Sequence, residues 1–441
     1  MKVSNQPVRA QGVAVPAAHL QRNFWLGVFS GIGYNLYLVF FSTELVLAWF
    51  LTELTDSNLL ISLLIPIEMG SWYFLQIVLS GYVERKPLTM PVYQVTAGIR
   101  VAALGLLAAA VFTLTDPRAL LAAFFLLFVI NALMAGVAAL PFMNVVAKTI
   151  PAARRGAYFG WRRFAGGLFG LGAGVVVRAI LGSETGLVFP GKYGWLFVLA
   201  TAVTLLQVVT FSLIVEPPEA VDTRRVPLKE QFRRALRLPI RDGNFGRYLG
   251  TRVAIVAAAL ALPFYTVYAR RVLDAPEGMV GVYLMGMTLA GVLSNLVFAR
   301  ISDRWGNRLV VRLAALTALL VPATALLVVF APGLGAARVI IFGLVFVLQG
   351  IQVSARVIGG TNYLLELTPS IERVLYIGVA HGVLGVVFFM SPVGAAIVDT
   401  LGFVPLFVVA LIAGVVAILI STTLEEPRHK RAPVKPEAAS A

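Results

Sequence analysis

The chain has 441 residues, of which 59% are hydrophobic and only 13% charged, with a formal net charge of +15 and a mean hydropathy of +0.87. A soluble protein of this length carries about twice that charged share, so the composition excludes a water-covered globule and calls for lipid. The sequence holds no cysteine, which excludes disulfides, thiolate metal sites and thiol chemistry.

Residues 1–22 are polar, with Lys2, Arg9 and Arg22. They read as an N-terminal tail rather than a signal peptide, because the apolar span that follows is too long for a signal core and no small-residue cleavage pattern comes after it. A helix needs about 20 apolar residues to cross a bilayer. Twelve spans of that kind are predicted: Phe24–Phe50, Asn58–Gly81, Pro91–Thr113, Ala119–Val145, Tyr158–Gly182, Gly194–Val215, Arg247–Arg271, Gly278–Ala299, Leu309–Ala331, Arg338–Tyr363, Leu375–Asp399 and Phe403–Thr423. The connections are short except Glu216–Gly246. That segment divides the chain into an N-terminal six-helix bundle (23–215), a linker (216–246), a C-terminal six-helix bundle (247–423) and a tail (424–441). Within the linker, Val226–Leu238 gathers Leu228, Phe232, Ala235 and Leu236 near one helical face, with Arg233, Arg234 and Arg237 beside it. An interfacial helix is expected there.

The basic residues sort by side. With both termini cytoplasmic, the cytoplasmic segments carry 25 Lys and Arg. The opposite side carries five, namely Arg118, Lys192, Arg270, Arg271 and Arg338. That bias follows the positive-inside rule and accounts for the net charge without nucleic acid. A multi-pass protein of the plasma (inner) membrane is expected.

Ionisable and amide side chains inside spans are costly, and each is a candidate for function. In chain order they are Glu44 in the outer part of span one, on a face shared with Tyr37, Phe40, Phe41 and Ala48; Glu68, midway along span two; Arg100, at comparable depth in span three; Asn131 on span four; Arg252 on span seven; and Gln349, Gln352 and Arg356, on one face of span ten. Glu68 and Arg100 are expected to pair or to share a water-filled region. Glu44 either faces a cavity or reaches the outer interface, and Arg252 and Arg356 either line a cavity or extend to the cytoplasmic surface. His381, early in span eleven, reads as a packing residue. Span five carries Gly166, Gly170 and Gly174 at intervals of four, a spacing that lets two helix backbones approach closely.

A repeat runs through the chain. Residues 128–160 and 346–378 align without a gap at an offset of 218, with seven of 33 positions identical, among them Asn144/Asn362, Pro151/Pro369, Tyr158/Tyr376 and Gly160/Gly378. Asn131 and Gln349 fall opposite each other in this alignment. Two homologous membrane bundles are the expected source.

The segment Ala299-Arg-Ile-Ser-Asp-Arg-Trp-Gly-Asn-Arg308 resembles the loop signature of the major facilitator superfamily, G-x-L-A-D-R-x-G-R-R, with Ala at the first Gly and Asn at one Arg. Arg300, Asp303, Arg304, Gly306 and Arg308 carry it. The matching N-terminal loop keeps Glu84, Arg85 and Lys86 but lacks the turn glycine. The resemblance implies an all-α fold of twelve transmembrane helices in two pseudo-symmetric bundles. It implies a secondary transporter whose helices one, four, seven and ten line a central cavity, which places Tyr37, Glu44, Asn131, Arg252, Gln349, Gln352 and Arg356 there. Family antiporters carry Gly-Pro on helix five, where Leu171 follows Gly170 here, and many exporters carry an Arg on helix four that is missing near Asn131. The implied activity is alternating-access movement of a small organic solute, with protons as the coupling ion and uniport as the alternative. No cofactor, metal or nucleic acid is implied, and a monomer is expected. A membrane-embedded transferase would need clustered acids, histidines or a metal set, whereas His19, His381 and His429 lie far apart in the sequence. A non-transporting sensor would typically add a soluble domain.

Overall fold

In a bilayer the backbone has no water to bond, so each span must satisfy its own N–H and C=O groups, and a helix does this. The computed structural model describes residues 17–83, 86–182, 186–218, 238–368 and 372–427, and among them there is no strand. Helix α1 runs Ala17–Phe40 (α1a), breaks, and continues through a π-turn at Thr43–Leu47 into Ala48–Leu54 (α1b). Then come α2 (Leu64–Val83), α3 (Met90–Thr113), α4 (Pro117–Thr149), α5 (Ala152–Leu181) and α6 (Gly191–Ser212). In the second half, α7 is split into Gly243–Ala258 (α7a) and Leu262–Arg271 (α7b) by a 3₁₀ turn. It is followed by α8 (Met279–Trp305), α9 (Asn307–Val329), α10 (Ala337–Leu367), α11 in two pieces (Arg373–Phe388, α11a; Ser391–Leu401, α11b) and α12 (Phe403–Thr422). Eleven of these are long and apolar enough to cross a membrane, and α2 completes a twelve-helix layout. The expected linker helix falls almost wholly on 219–237, and Glu84 and Arg85 on 84–85; both lie outside the described residues.

Side chains stop and start the helices where the sequence supplies acceptors. Asp116 accepts from the backbone N–H of Arg118 and Ala119 at the head of α4. Asp242 does the same for Asn244 and Phe245 at the head of α7. Several helices overrun the apolar spans predicted for them: α4 continues to Thr149 and α10 to Leu367. The reason is that a helix does not end where hydropathy falls; it ends where its carbonyls find other partners.

Successive helices run antiparallel, so one end of the molecule holds the starts of α1 and α7 and the ends of α6 and α12 (the terminal end) and the other is the distal end. Inside the N-terminal bundle α1 packs on α5 and α6, and α3 on α4 and α6; inside the C-terminal bundle α9 packs on α10 and α12, and α8 on α10. The bundles meet along α5–α8 and α2–α11, and through α1b–α7b at the distal end. The repeat at offset 218 becomes visible as packing. Tyr158, at the start of α5, lies edge-on to Phe24 of α1 with ring centroids 5.8 Å apart. Its counterpart Tyr376, at the start of α11, lies edge-on to Phe245 of α7 at 4.7 Å. The breaks in α1 and α7 are also repeat-equivalent, since the offset carries Thr43 onto Ala261.

The apolar core is unequal along the membrane normal. At the distal end one cluster joins both bundles, running from Phe41, Phe50, Phe124 and Phe197 to Tyr265, Tyr268, Phe346 and Phe407. Toward the terminal end the bundles keep separate clusters, one around Tyr93, Val145, Tyr158 and Phe211 and one around Phe245, Tyr248, Tyr363 and Tyr376. The apolar core is shared by the halves at one end and divided between them at the other, where Arg163 Nη1 of α5 still donates to Asn295 Oδ1 of α8 at 3.4 Å.

Candidate transport site

Between the bundles, at the level where the fused core ends, lies a layer of polar side chains. Asn131 of α4 is 2% exposed. Its Nδ2 donates to Tyr37 Oη at 2.9 Å, and its Oδ1 accepts from Arg100 Nε at 3.3 Å. The Arg100 guanidinium lies 5.1 Å from the centre of the Tyr37 ring, within cation–π range. Three helices, α1, α3 and α4, are thereby tied together by one amide. The expected pairing of Glu68 with Arg100 takes a different form. No ion pair within 4 Å joins them among the described residues; the Glu68 carboxyl faces the Thr43 hydroxyl, and the Arg100 charge acts on it from beyond contact. Depth along the membrane was read from the sequence, but the direction in which each helix face points was not.

Glu44 does not reach the outer interface. It sits in the π-turn of α1, and its Oε2 is buried with no hydrogen-bond partner. Its backbone carbonyl accepts from Thr266 Oγ1 of α7b at 2.6 Å, so the turn that carries Glu44 is pinned to the other bundle. Opposite, α10 presents Gln349, Gln352 and Arg356. Gln349 is 1% exposed, and neither end of its amide has a partner. Arg356 bears on Glu44 by charge. Arg252 of α7a does not extend to the surface. It is buried, and its Nη1 donates to the Arg356 carbonyl at 3.1 Å. His381 meets the Tyr73 ring edge-on at 5.1 Å, and Tyr73 stacks on Phe388.

The glycines of α5 form two contacts. A Cβ at Gly166 would collide with Asn35 of α1, inside the same bundle. A Cβ at Gly170 would stand 3.3 Å from Thr288 Cγ2, and one at Gly174 2.5 Å from Met285 Cγ, both on α8 of the other bundle. The stripe is therefore part of the seam along which the halves touch.

In the loop between α8 and α9, Gly306 has φ +87°, the left-handed region that favours glycine. It also leaves room for the Glu426 carboxylate, whose Oε2 would lie 2.6 Å from a Cβ at that position. Arg308 Nε stands 3.9 Å from the same carboxylate, and Ser302 Oγ donates to Asn307 Oδ1 at 2.6 Å. Arg300 and Arg304 are exposed, and Asp303 lines a cavity of about 480 Å³ where α5, α8 and α10 diverge at the terminal end. Arg163, Asn295 and Asn362 share that lining. The N-terminal counterpart of Glu426 is Glu216. It accepts from the N–H of Thr89 at 2.9 Å and of Met90 at 2.7 Å, and pairs with Lys148 at 3.0 Å. In each bundle a Glu-Pro follows four residues after the last helix, and its carboxylate sits at the head of the third helix.

The distal end is latched by polar contacts that sequence reasoning missed. Arg270 Nε pairs with Glu53 Oε1 at 2.6 Å. Arg271 Nη2 donates to the Thr55 carbonyl at 2.9 Å and Nη1 to Asn58 Oδ1 at 3.2 Å. Asn58 Nδ2 donates to Asp399 Oδ1 at 2.6 Å, and Lys192 pairs with Glu277. All cross between bundles. A signal existed: Glu53 and Arg271 are equivalent under the 218-residue offset and opposite in charge, as two ends that meet require.

Fold and polar layer together describe a two-bundle, multi-pass membrane protein. The family model described as Major Facilitator Superfamily matches residues 247–440. In structure the chain is similar to the D-xylose-proton symporter (14% identity, TM-score 0.69, 93% of this chain and 99% of that one). It is also similar to a mutant of the nucleoside transporter NupG (15%, 0.67, 91% and 98%). A third likeness is to a bacterial homologue of the iron transporter ferroportin in an inward-facing state (13%, 0.63, 92% and 99%). At these identities the likeness speaks for the fold alone. No curated protein matches the chain in sequence. The C-terminal half thus matches the superfamily by sequence and the whole chain has its fold. The described residues before 247 carry the same fold without a match to the family model.

Proposed function

We propose that this protein moves a small organic solute across the plasma (inner) membrane by alternating access, driven by protons, with both termini in the cytoplasm and the monomer as the working unit. The observation that carries this reading is a layer of ionisable groups between the bundles, Glu44, Glu68, Arg100, Arg252 and Arg356, covered on the distal side by latch and aromatic core, with the apolar clusters of the two bundles separate toward the terminal side. With the positive-inside orientation, the arrangement is an inward-facing one. Glu44 supports the coupling role best, because its carboxyl oxygen is buried without a partner and its backbone is bonded to the opposite bundle. A carboxyl in that position can gain or lose its proton as access switches. The D-xylose-proton symporter, with the same fold, has a proton as co-substrate by its name.

The test is transport in proteoliposomes over a panel of solute classes, with and without an imposed pH gradient. Accumulation that depends on the gradient and disappears in Glu44→Gln is the expected result. Gradient-independent equilibration would make the protein a uniporter, and movement of no solute under either condition would defeat the transporter reading.

A further inference from the structure

The charges of the polar layer are not balanced pair by pair. Arg100 is engaged by Asn131 and Tyr37. Arg252 uses one nitrogen on the Arg356 carbonyl, and its Nε is buried with no partner. The Arg356 side chain makes no hydrogen bond or ion pair among the described residues. The two cations, from α7a and α10, act on each other by charge, and the bond between the two residues runs to a backbone carbonyl rather than to an acid. Room is left for Arg252: a Cβ at Gly360, one turn beyond Arg356, would fall on Arg252 Nη1. The acids of the layer, Glu44 and Glu68, make no contact ion pair with either arginine among the described residues.

Unpaired cations in a low-dielectric setting are costly, and a bound anion relieves that cost. A neutral solute leaves both guanidinium groups unanswered, and a cationic one adds repulsion. Arginine presents a planar fork matched to the two oxygens of a carboxylate. Around the pair the surfaces are aromatic: Tyr248 lies 6.0 Å from the Arg252 guanidinium, and Tyr73 stacks on Phe388. Resting on the transporter reading above, we infer that the solute is a small organic carboxylate with an aromatic or apolar body, its carboxylate held between Arg252 and Arg356.

The test measures binding to the full-length protein in detergent for three matched sets: benzoate and hexanoate, benzyl alcohol and hexanol, benzylammonium and hexylammonium. The carboxylates bind and the alcohols and amines of equal size do not. Arg356→Gln weakens carboxylate binding by about 30-fold or more, the usual effect of removing one partner of a buried charge pair, while Arg356→Lys, which keeps the charge but not the fork, weakens it less than Arg356→Gln does and shows that the site still forms. Preference for the alcohols or the amines, binding of none of the six, or an Arg356→Gln variant that binds carboxylates unchanged overturns the inference. Those outcomes leave the transporter reading standing, because the proteoliposome assay tests that reading without assuming a solute class.

Discussion

Asn131 has two jobs that no apolar residue can share. Its amide nitrogen supplies Tyr37 with a donor, and its oxygen gives Arg100 an acceptor. An unpaired buried donor costs about 1–3 kcal/mol, and more when it is charged. Asn131→Ala leaves the charged Arg100 donor unpaired and should lower stability by more than that, read as a drop in the thermal unfolding midpoint in detergent, whereas Tyr37→Phe leaves only the neutral Asn131 Nδ2 without its acceptor and should cost about 1–3 kcal/mol. Equal effects would mean that the Arg100 contact contributes nothing. The positions of these polar residues could be read from the sequence, because a charge or amide inside twenty apolar residues stands out. Their partners could not. Arg100 was expected opposite Glu68 on grounds of depth, but a helix turns 100° per residue, and the facing side chain proved to be an amide on α4.

At the level of elements, the twelve spans were readable because length and hydropathy alone fix what can cross a bilayer. The interruptions were not, since whether α1 stays α-helical past Phe40 depends on what it meets, here Thr266 of α7b holding the Glu44 carbonyl. Likewise the glycine spacing on α5 announced close packing without naming the partner, which is α1 at Gly166 and α8 at Gly170 and Gly174. Gly174→Val would press a branched side chain into Met285 across the seam. Overpacking of this kind costs about 1–3 kcal/mol, and under the proposed alternating access, which slides the halves along this seam, transport should fall more than the thermal midpoint does; an unchanged transport rate would remove α5–α8 from the moving interface. In the last turn of α8, Asp303→Asn is expected to slow turnover while leaving solute affinity near its original value, a split visible as a lower maximal rate at constant half-saturation. Unchanged turnover would refute a role for Asp303 in the cycle.

For the whole molecule, closure at the distal end rests on two different kinds of contact. The aromatic core that joins the bundles is large and insensitive to salt. The latch pairs Glu53–Arg270 and Lys192–Glu277 are few, partly exposed and worth about 1 kcal/mol or less each where water reaches them. Such an arrangement holds one end shut without making it permanent. Glu53→Gln should shift the population toward a distal-open form by a few-fold, and Arg270→Gln should do the same, with little added effect in the double variant because both remove one pair.

The chain contains no cysteine, so labels can be introduced at chosen sites without first removing others. A spin-label pair spanning the distal end, on exposed Thr115 and Ala336, and a second pair spanning the terminal end, on exposed Ala157 and Leu309, report the separation of the bundles at each end. In lipid, on changing pH or adding transported solute, the account predicts opposite changes: the distal distance lengthens in the molecules whose terminal distance shortens, and Glu53→Gln biases both in that direction. Two distances that stay fixed under every condition that supports transport, or that lengthen together, would contradict a two-bundle switch about the polar layer.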